Sequence, residues 1–344
     1  MDEQLKTITP LAVLEAAERL RRSGLVYRTP LELCEPLTSH FGPAVQLWQK
    51  LELFQPTGSF KLRGAVNKLL AYREKATANQ ATPKFLTVSA GNHGLGMAHA
   101  ARHLSLDVTV IVPNSASLAK VAALRRYPVK LLKYGDSYEA AELYARQLAQ
   151  EQGYIFVSPY NDPEVILGQA TIALEILQDL PQADVLLVPV GGGGLISGVA
   201  MWAKTIAPNI KIIGVQSEAS PAMHYALAAR SIVVAPDLPT LADGLAGNLE
   251  AQTLTFDLVQ RYVDEIVLVS EAAIAHAICY YVRELHLVVE GSGAVGLAAL
   301  LAGKLRLPPD CRRVVNLVTG RNIAGQTLTK LLNEEENDEH SGNV

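Results

Sequence analysis

The chain has 344 residues, 49% hydrophobic and 19% charged, with a formal net charge of −4. This is enough apolar material for one large or two ordinary domains, and it lies far from the disordered regime. No basic stripe suits nucleic acid, no apolar run reaches transmembrane length, and the polar start MDEQLKTITP is not a signal peptide.

Cys34, Cys279 and Cys311 are odd in number and far apart, so they form neither a disulfide framework nor a zinc knuckle. A soluble protein of a reducing compartment is expected, with no nucleic-acid or membrane partner.

Along the chain, Thr9-Pro10 marks a helix start, with threonine as cap and proline in the first turn. The stretch QPTGSFKLRG (55–64) then sets Lys61 between Phe60 and Leu62 where a helix begins. Eight apolar, β-branched runs follow: FLTVS (85–89), VTVIV (108–112), VKLLKY (129–134), YIFVS (154–158), VLLVPV (185–190), IIGVQS (212–217), EIVLVS (265–270) and VVNLVT (314–319). Most do not alternate, as expected of strands buried on both faces. Between them, stretches such as 137–150, 163–180 and 271–285 place apolar residues at helical spacing. Alternating strand and helix predicts an α/β protein with mainly parallel sheet. The tail 333–344 is polar and expected to fray.

In open parallel sheets, ligands bind beyond the carboxyl ends of the strands. Three such loops stand out. SAGNHG (89–94) has glycines around Asn92 and His93 at a strand-to-helix turn, which suits an anion; the plainer reading makes Asn92 a helix cap. GGGGL (191–195) has four consecutive glycines, each costing about 0.5–1 kcal/mol relative to Ala in regular structure. A phosphate cradle fits. The dinucleotide fingerprint fails at Ile196 and the P-loop fails at Val199. TGRN (319–322) places Thr319 at the end of a buried strand, with capping of the last helix as the plainer reading. An apolar setting disfavours the ammonium form of Lys61, as a Schiff-base lysine requires. A phosphate cradle and a desolvated lysine together suit pyridoxal phosphate.

Together SFKLRGA (59–65), SAGNHG, GGGGL and EGSGAVGLAAL (290–300) resemble the fold-type II pyridoxal-phosphate enzymes, nearest the threonine/serine dehydratase and serine racemase group, from about Thr9 to Leu332. The resemblance implies a tryptophan synthase beta-like α/β fold with the cofactor in a cleft between two open, mainly parallel-sheet domains. The large one would hold 1–81 and 162–332, and the small one 82–161. Lys61 would form the Schiff base with pyridoxal 5'-phosphate and move the α-proton. Phe60 would pack on the ring, Asn92 would bond its hydroxyl, Thr319 would meet its nitrogen, and Gly191, Gly192, Gly193, Gly194 and Leu195 would hold its phosphate. Ser89, Ala90, Gly91, Asn92 and His93 would receive the substrate carboxylate.

The implied reaction is loss of water from L-threonine or L-serine, yielding 2-oxobutanoate or pyruvate and ammonia, in a cytoplasmic homodimer or homotetramer. Another β-hydroxy amino acid, such as 3-phenylserine or 3-hydroxyaspartate, or a compatible-solute breakdown product, is the alternative substrate. A non-catalytic binding protein on the same fold is the alternative class. Ala90 replaces the second serine that racemases carry in this loop, so elimination is favoured. Gln216 and Ala222 stand where relatives place metal-binding carboxylates, with Glu218 two residues away, so no metal is expected. Gly291 replaces a common proline, and Asp243 and Asn248 lie in a loop that closes over the pocket in relatives. Ser158, Pro159, Tyr160 and Asn161 are expected to shape the side-chain pocket. No C-terminal regulatory domain is expected. His99 and His103 lie four apart but lack a third zinc ligand, and Ser197 lacks a nucleophile elbow.

Overall fold

The computed structural model describes residues 2–40, 45–75 and 83–341. By internal contacts the chain divides into two units, Met1–Tyr27 with Gln55–Thr171, and Arg28–Phe54 with Ile172–Val344. The expected division differs from this one at residues 1–27, 55–81 and 162–171, which fall with the first unit.

Among the described residues ten strands form: β1 (Leu31–Leu33), β2 (Gln46–Lys50), β3 (Lys84–Val88), β4 (Asp107–Val112), β5 (Lys130–Lys133), β6 (Ile155–Phe156), β7 (Val185–Pro189), β8 (Lys211–Ser217), β9 (Glu265–Val269) and β10 (Arg313–Leu317). The eight apolar runs correspond to β3 through β10. β1 and β2 were not expected from the pattern.

In the first unit the strand order is β5-β4-β3-β6, with every pairing parallel. Its continuous apolar strands divide residue by residue between two clusters. Phe85, Val108, Val110 and Val112 join one with Leu62 and Met97, while Leu86, Val88 and Ile111 join the other with Ala141 and Ala145. Successive side chains point to opposite faces, so a strand buried on both must be apolar throughout.

Helix Lys61–Lys75 belongs to this unit because its neighbours are here. A Cβ on Gly96, in helix Asn92–Leu104, would meet Lys61 O and Ala65 Cβ at 3.3 Å each. On another side, a Cβ on Gly168 would come within 2.7 Å of Gly64 Cα and 2.8 Å of Arg63 O. Bare glycine faces thus set the position of the turn that bears Lys61.

The second unit holds a sheet of order β1-β2-β10-β7-β8-β9, with β1 antiparallel and the rest parallel. Helix Gly291–Leu301 lies close to it: Gly296 has the Asn316 side chain against its backbone. Tyr281 is fully buried and accepts from Asn316 Nδ2 at 3.0 Å, which makes it a core residue.

In each sheet one strand has its sequence successor on one side and a later strand on the other. In the first unit this strand is β3, between β4 and β6; in the second it is β7, between β8 and β10. These are the reversals at which loops diverge and ligands enter.

Thr9 caps helix Pro10–Ser23 as expected, accepting from Ala12 N at 3.2 Å. The tail expected to fray is helical to Ser341 in helix Gly325–Ser341. Glu335 bonds Arg283 at 3.0 Å and His276 at 2.7 Å, which ties that helix down. Among the described residues, no helix is long and apolar enough to cross a membrane.

Gly168→Ala is expected to lower stability by about 1–3 kcal/mol, because backbone must move to admit the methyl group. A fall in the urea midpoint with an unchanged slope checks this.

Candidate active site

In the first unit Lys61 opens its helix, and its Nζ donates to the Pro159 carbonyl at 2.8 Å. The nitrogen lies 5.3 Å from the centroid of the Phe60 ring, which is buried. Pro159 belongs to the loop after β6, where Ser158 Oγ accepts from Asn161 N at 3.0 Å and from Tyr160 N at 3.5 Å. That turn aims a carbonyl at the lysine, a contact the sequence did not reveal.

The loop after β3 is the other side of the same reversal. Ser89 N bonds back to Ile111 O at 3.1 Å, and Ser89 Oγ accepts from Gly91 N at 3.2 Å. A Cβ on Gly94 would collide with the Ser89 carbonyl, so this glycine lets the loop fold onto the helix. Helix Asn92–Leu104 starts from Gly91, which has no side chain to satisfy the first N–H groups. Asn92 is therefore the first helical residue and not the cap. Elsewhere Thr9, Ser117, Ser137, Thr253 and Ser270 each accept a helix-start N–H.

His93 is buried, and neither ring nitrogen makes a hydrogen bond of full geometry, although the Val157 backbone slightly favours its charged form. Burial first, and the charge of Lys61 second, push its pKa down to about 3. It is therefore neutral near pH 7.

In the second unit helix Gly194–Ile206 starts from Gly193, again with no side chain to offer. Gly193 has φ +89°, and a Cβ there would meet Met223 Cε at 2.7 Å and Thr255 Cβ at 2.9 Å. A Cβ on Gly191 would lie 2.9 Å from Leu245 Cα. At these two positions the chain's own packing demands glycine. Leu195 is buried. Thr319 is 2% exposed, its Oγ1 donates to Ser292 O at 3.4 Å, and the last helix begins only at Gly325. The capping reading of Thr319 therefore fails. Thr319 lies two residues beyond β10, whose parallel neighbour β7 leads into the glycine loop.

Other candidates resolve into structure. Asn248 Oδ1 accepts from Ala235 N at 2.8 Å and its Nδ2 donates to Ala235 O at 3.3 Å, which joins two segments 13 residues apart. Gln216 Oε1 accepts from His224 N at 2.9 Å. Among the described residues, no three His, Cys, Asp or Glu side chains gather as a metal site. The His99 and His103 rings lie tilted against each other, 4.5 Å between centroids. Gly291 is explained by Leu241, whose carbonyl occupies the place of a Cβ.

A family profile described as pyridoxal-phosphate dependent enzyme matches residues 22–320. The chain belongs to the pyridoxal-phosphate-dependent enzymes. This pyridoxal-phosphate-dependent enzyme is 38% identical over 327 residues to the L-threonine ammonia-lyase of Thermotoga maritima, across 95% of this chain and 79% of that one. It is 37% identical over 313 residues to the catabolic L-threonine dehydratase TdcB of Escherichia coli K12, across 90% and 92%. The solved structure of maize serine racemase matches with a TM-score of 0.85 at 31% identity, covering 96% of this chain and 98% of that one. The fold is fold-type II.

Each unit carries residues that fit one part of this cofactor. Its phosphate calls for several N–H donors at a helix start, and the glycine-begun helix Gly194–Ile206 offers them. Its carbonyl carbon calls for a primary amine beside an apolar wall, and Lys61 with Phe60 supplies both.

The unfolded chain protonates histidine below about pH 6.5, whereas folded His93 resists protonation until about pH 3. Stability is therefore lost as pH falls through this window, by about 2 kcal/mol at pH 5 for this one group. His93→Asn is expected to lose less stability than wild type between pH 7 and pH 5, as read from urea unfolding at each pH.

Proposed function

We propose that this enzyme is a threonine/serine ammonia-lyase. It removes water from L-threonine or L-serine, and after water is regained it releases 2-oxobutanoate or pyruvate with ammonia. The likeness over nine-tenths or more of the chain to two proteins named for L-threonine carries the reading.

Bound pyridoxal phosphate supplies a ring that accepts the electron pair released at the substrate α-carbon. Lys61 Nζ would hold the cofactor and would move the substrate α-proton. Phe60 would pack on the ring and Asn92 would bond its hydroxyl. Gly191, Gly192, Gly193, Gly194 and Leu195 would hold the phosphate through backbone N–H groups. Thr319 would offer the ring nitrogen a neutral hydroxyl, which would suit elimination because the departing hydroxyl takes the electrons. Ser89, Ala90, Gly91, Asn92 and His93 receive the substrate carboxylate, supported by the glycine start of their helix.

Serine racemase is the rival reaction, since a racemase structure is similar over nearly the whole chain. Ala90 opposes it: a methyl group cannot exchange a proton on the ring face opposite Lys61. A bulkier β-hydroxy amino acid is the rival substrate, with Tyr160 as the gate. We further propose a cytoplasmic homodimer or homotetramer.

Full-length, cofactor-loaded enzyme given L-threonine is expected to release 2-oxo acid, and Lys61→Ala to lose at least about 100-fold in rate. Silence on both L-threonine and L-serine, with the visible cofactor band intact, would sink this substrate assignment. Ala90→Ser is expected to gain conversion of L-serine to D-serine, read by chiral chromatography; wild type is expected to show almost none.

A further inference from the structure

Helix Leu254–Tyr262 lies outside every motif discussed above, yet its first turn reaches the glycine loop. Thr255 is fully buried, and its Oγ1 donates to the Gly192 carbonyl at 2.6 Å. Thr253 Oγ1 lies 2.8 Å from Thr255 Oγ1 and accepts from Thr255 N at 3.3 Å. A carbonyl can only accept, so the Thr255 proton is committed to Gly192. Thr253 must then be the donor between the two hydroxyls. The protons run in one direction, from Thr253 to Thr255 to the loop, and each bond strengthens the next.

A peptide unit is planar and trans, so the Gly192 carbonyl and the Gly193 N–H point in opposite directions. Holding the carbonyl against Thr255 turns the Gly193 N–H to the other side. A peptide flanked by two glycines is otherwise cheap to flip, since neither residue has a Cβ to resist it. Thr255 also packs under Gly193, whose absent Cβ would meet its Cβ at 2.9 Å and its Oγ1 at 3.1 Å.

We propose that Thr255, oriented by Thr253, is a positioning residue for the phosphate loop: it locks the Gly192–Gly193 peptide so that the Gly193 N–H faces the cofactor phosphate. This rests on the assignment of Gly191–Leu195 to that phosphate. Thr255 does not touch the cofactor and acts through the loop.

The test titrates the full-length chain, stripped of cofactor, with pyridoxal phosphate and separately with pyridoxal, which lacks the phosphate. Thr255→Val is expected to weaken pyridoxal phosphate by about 5–100-fold, the range set by leaving a buried carbonyl without its donor. Pyridoxal affinity is expected to stay within twofold. Thr255→Ser is expected to behave as wild type, and Thr255→Ala as the valine variant. Should Thr255→Val fail to fold, the Ala and Ser variants, which differ by the hydroxyl alone, decide the matter. Equal losses for both ligands would mark a merely structural role and overturn the proposal, as would unchanged pyridoxal phosphate affinity. Wild type that binds both ligands alike would overturn the phosphate-loop assignment itself, and this proposal with it.

Discussion

A helix leaves its first N–H groups without partners inside the helix, and what satisfies them decides what the helix can do. Several helices here spend them on a threonine or serine hydroxyl. Helices Asn92–Leu104 and Gly194–Ile206 begin from glycine and lack that option. Both follow a central strand of a parallel sheet at the point where strand order reverses. Partial positive charge is therefore concentrated where the fold opens to ligands.

Keeping such a start bare requires support from behind. In the second unit Leu245 presses on Gly191, and Met223 and Thr255 press on Gly193. The segment around Leu245 is itself anchored. Glu271 accepts from Ser217 Oγ, Thr240 Oγ1 and Leu241 N, each at 2.6 Å, and Ser292 Oγ accepts from Gly244 N at 3.0 Å. A carboxylate with three donors is well satisfied away from water. Sheet, connecting segment and helix start are thereby joined, so an error in one is transmitted to the glycine loop.

Strand β2 shows how far context can override pattern. Lys50 is fully buried, and its Nζ bonds Glu175 at 2.6 Å and the Thr29 carbonyl at 2.7 Å. An isolated buried ammonium would cost several kcal/mol. The carboxylate and carbonyl offset much of that cost, and the strand can run through the core. In QLWQK the buried positions include glutamine and lysine, so the apolar signature on which strand recognition depends is missing.

Composition and local pattern alone determined the α/β class, the strands β3 through β10, the Thr9 cap, and the three loops and lysine where the chemistry was sought. These follow from short-range physics: strands buried on both faces must be apolar, and repeated glycine is too costly to keep without a reason. Tertiary structure decided the rest. It assigned helix Lys61–Lys75 to the first unit through Gly64, Gly96 and Gly168. It brought Pro159 O to Lys61 across 98 residues of sequence. It revealed Gly191 and Gly193 as sites of close packing, put Gly91 at the cap position and so removed the plainer reading of Asn92 as a cap, and brought Thr255 under the glycine loop. Each depends on which distant atom comes near, and a pattern read along one segment carries no information about what the rest of the chain places beside it.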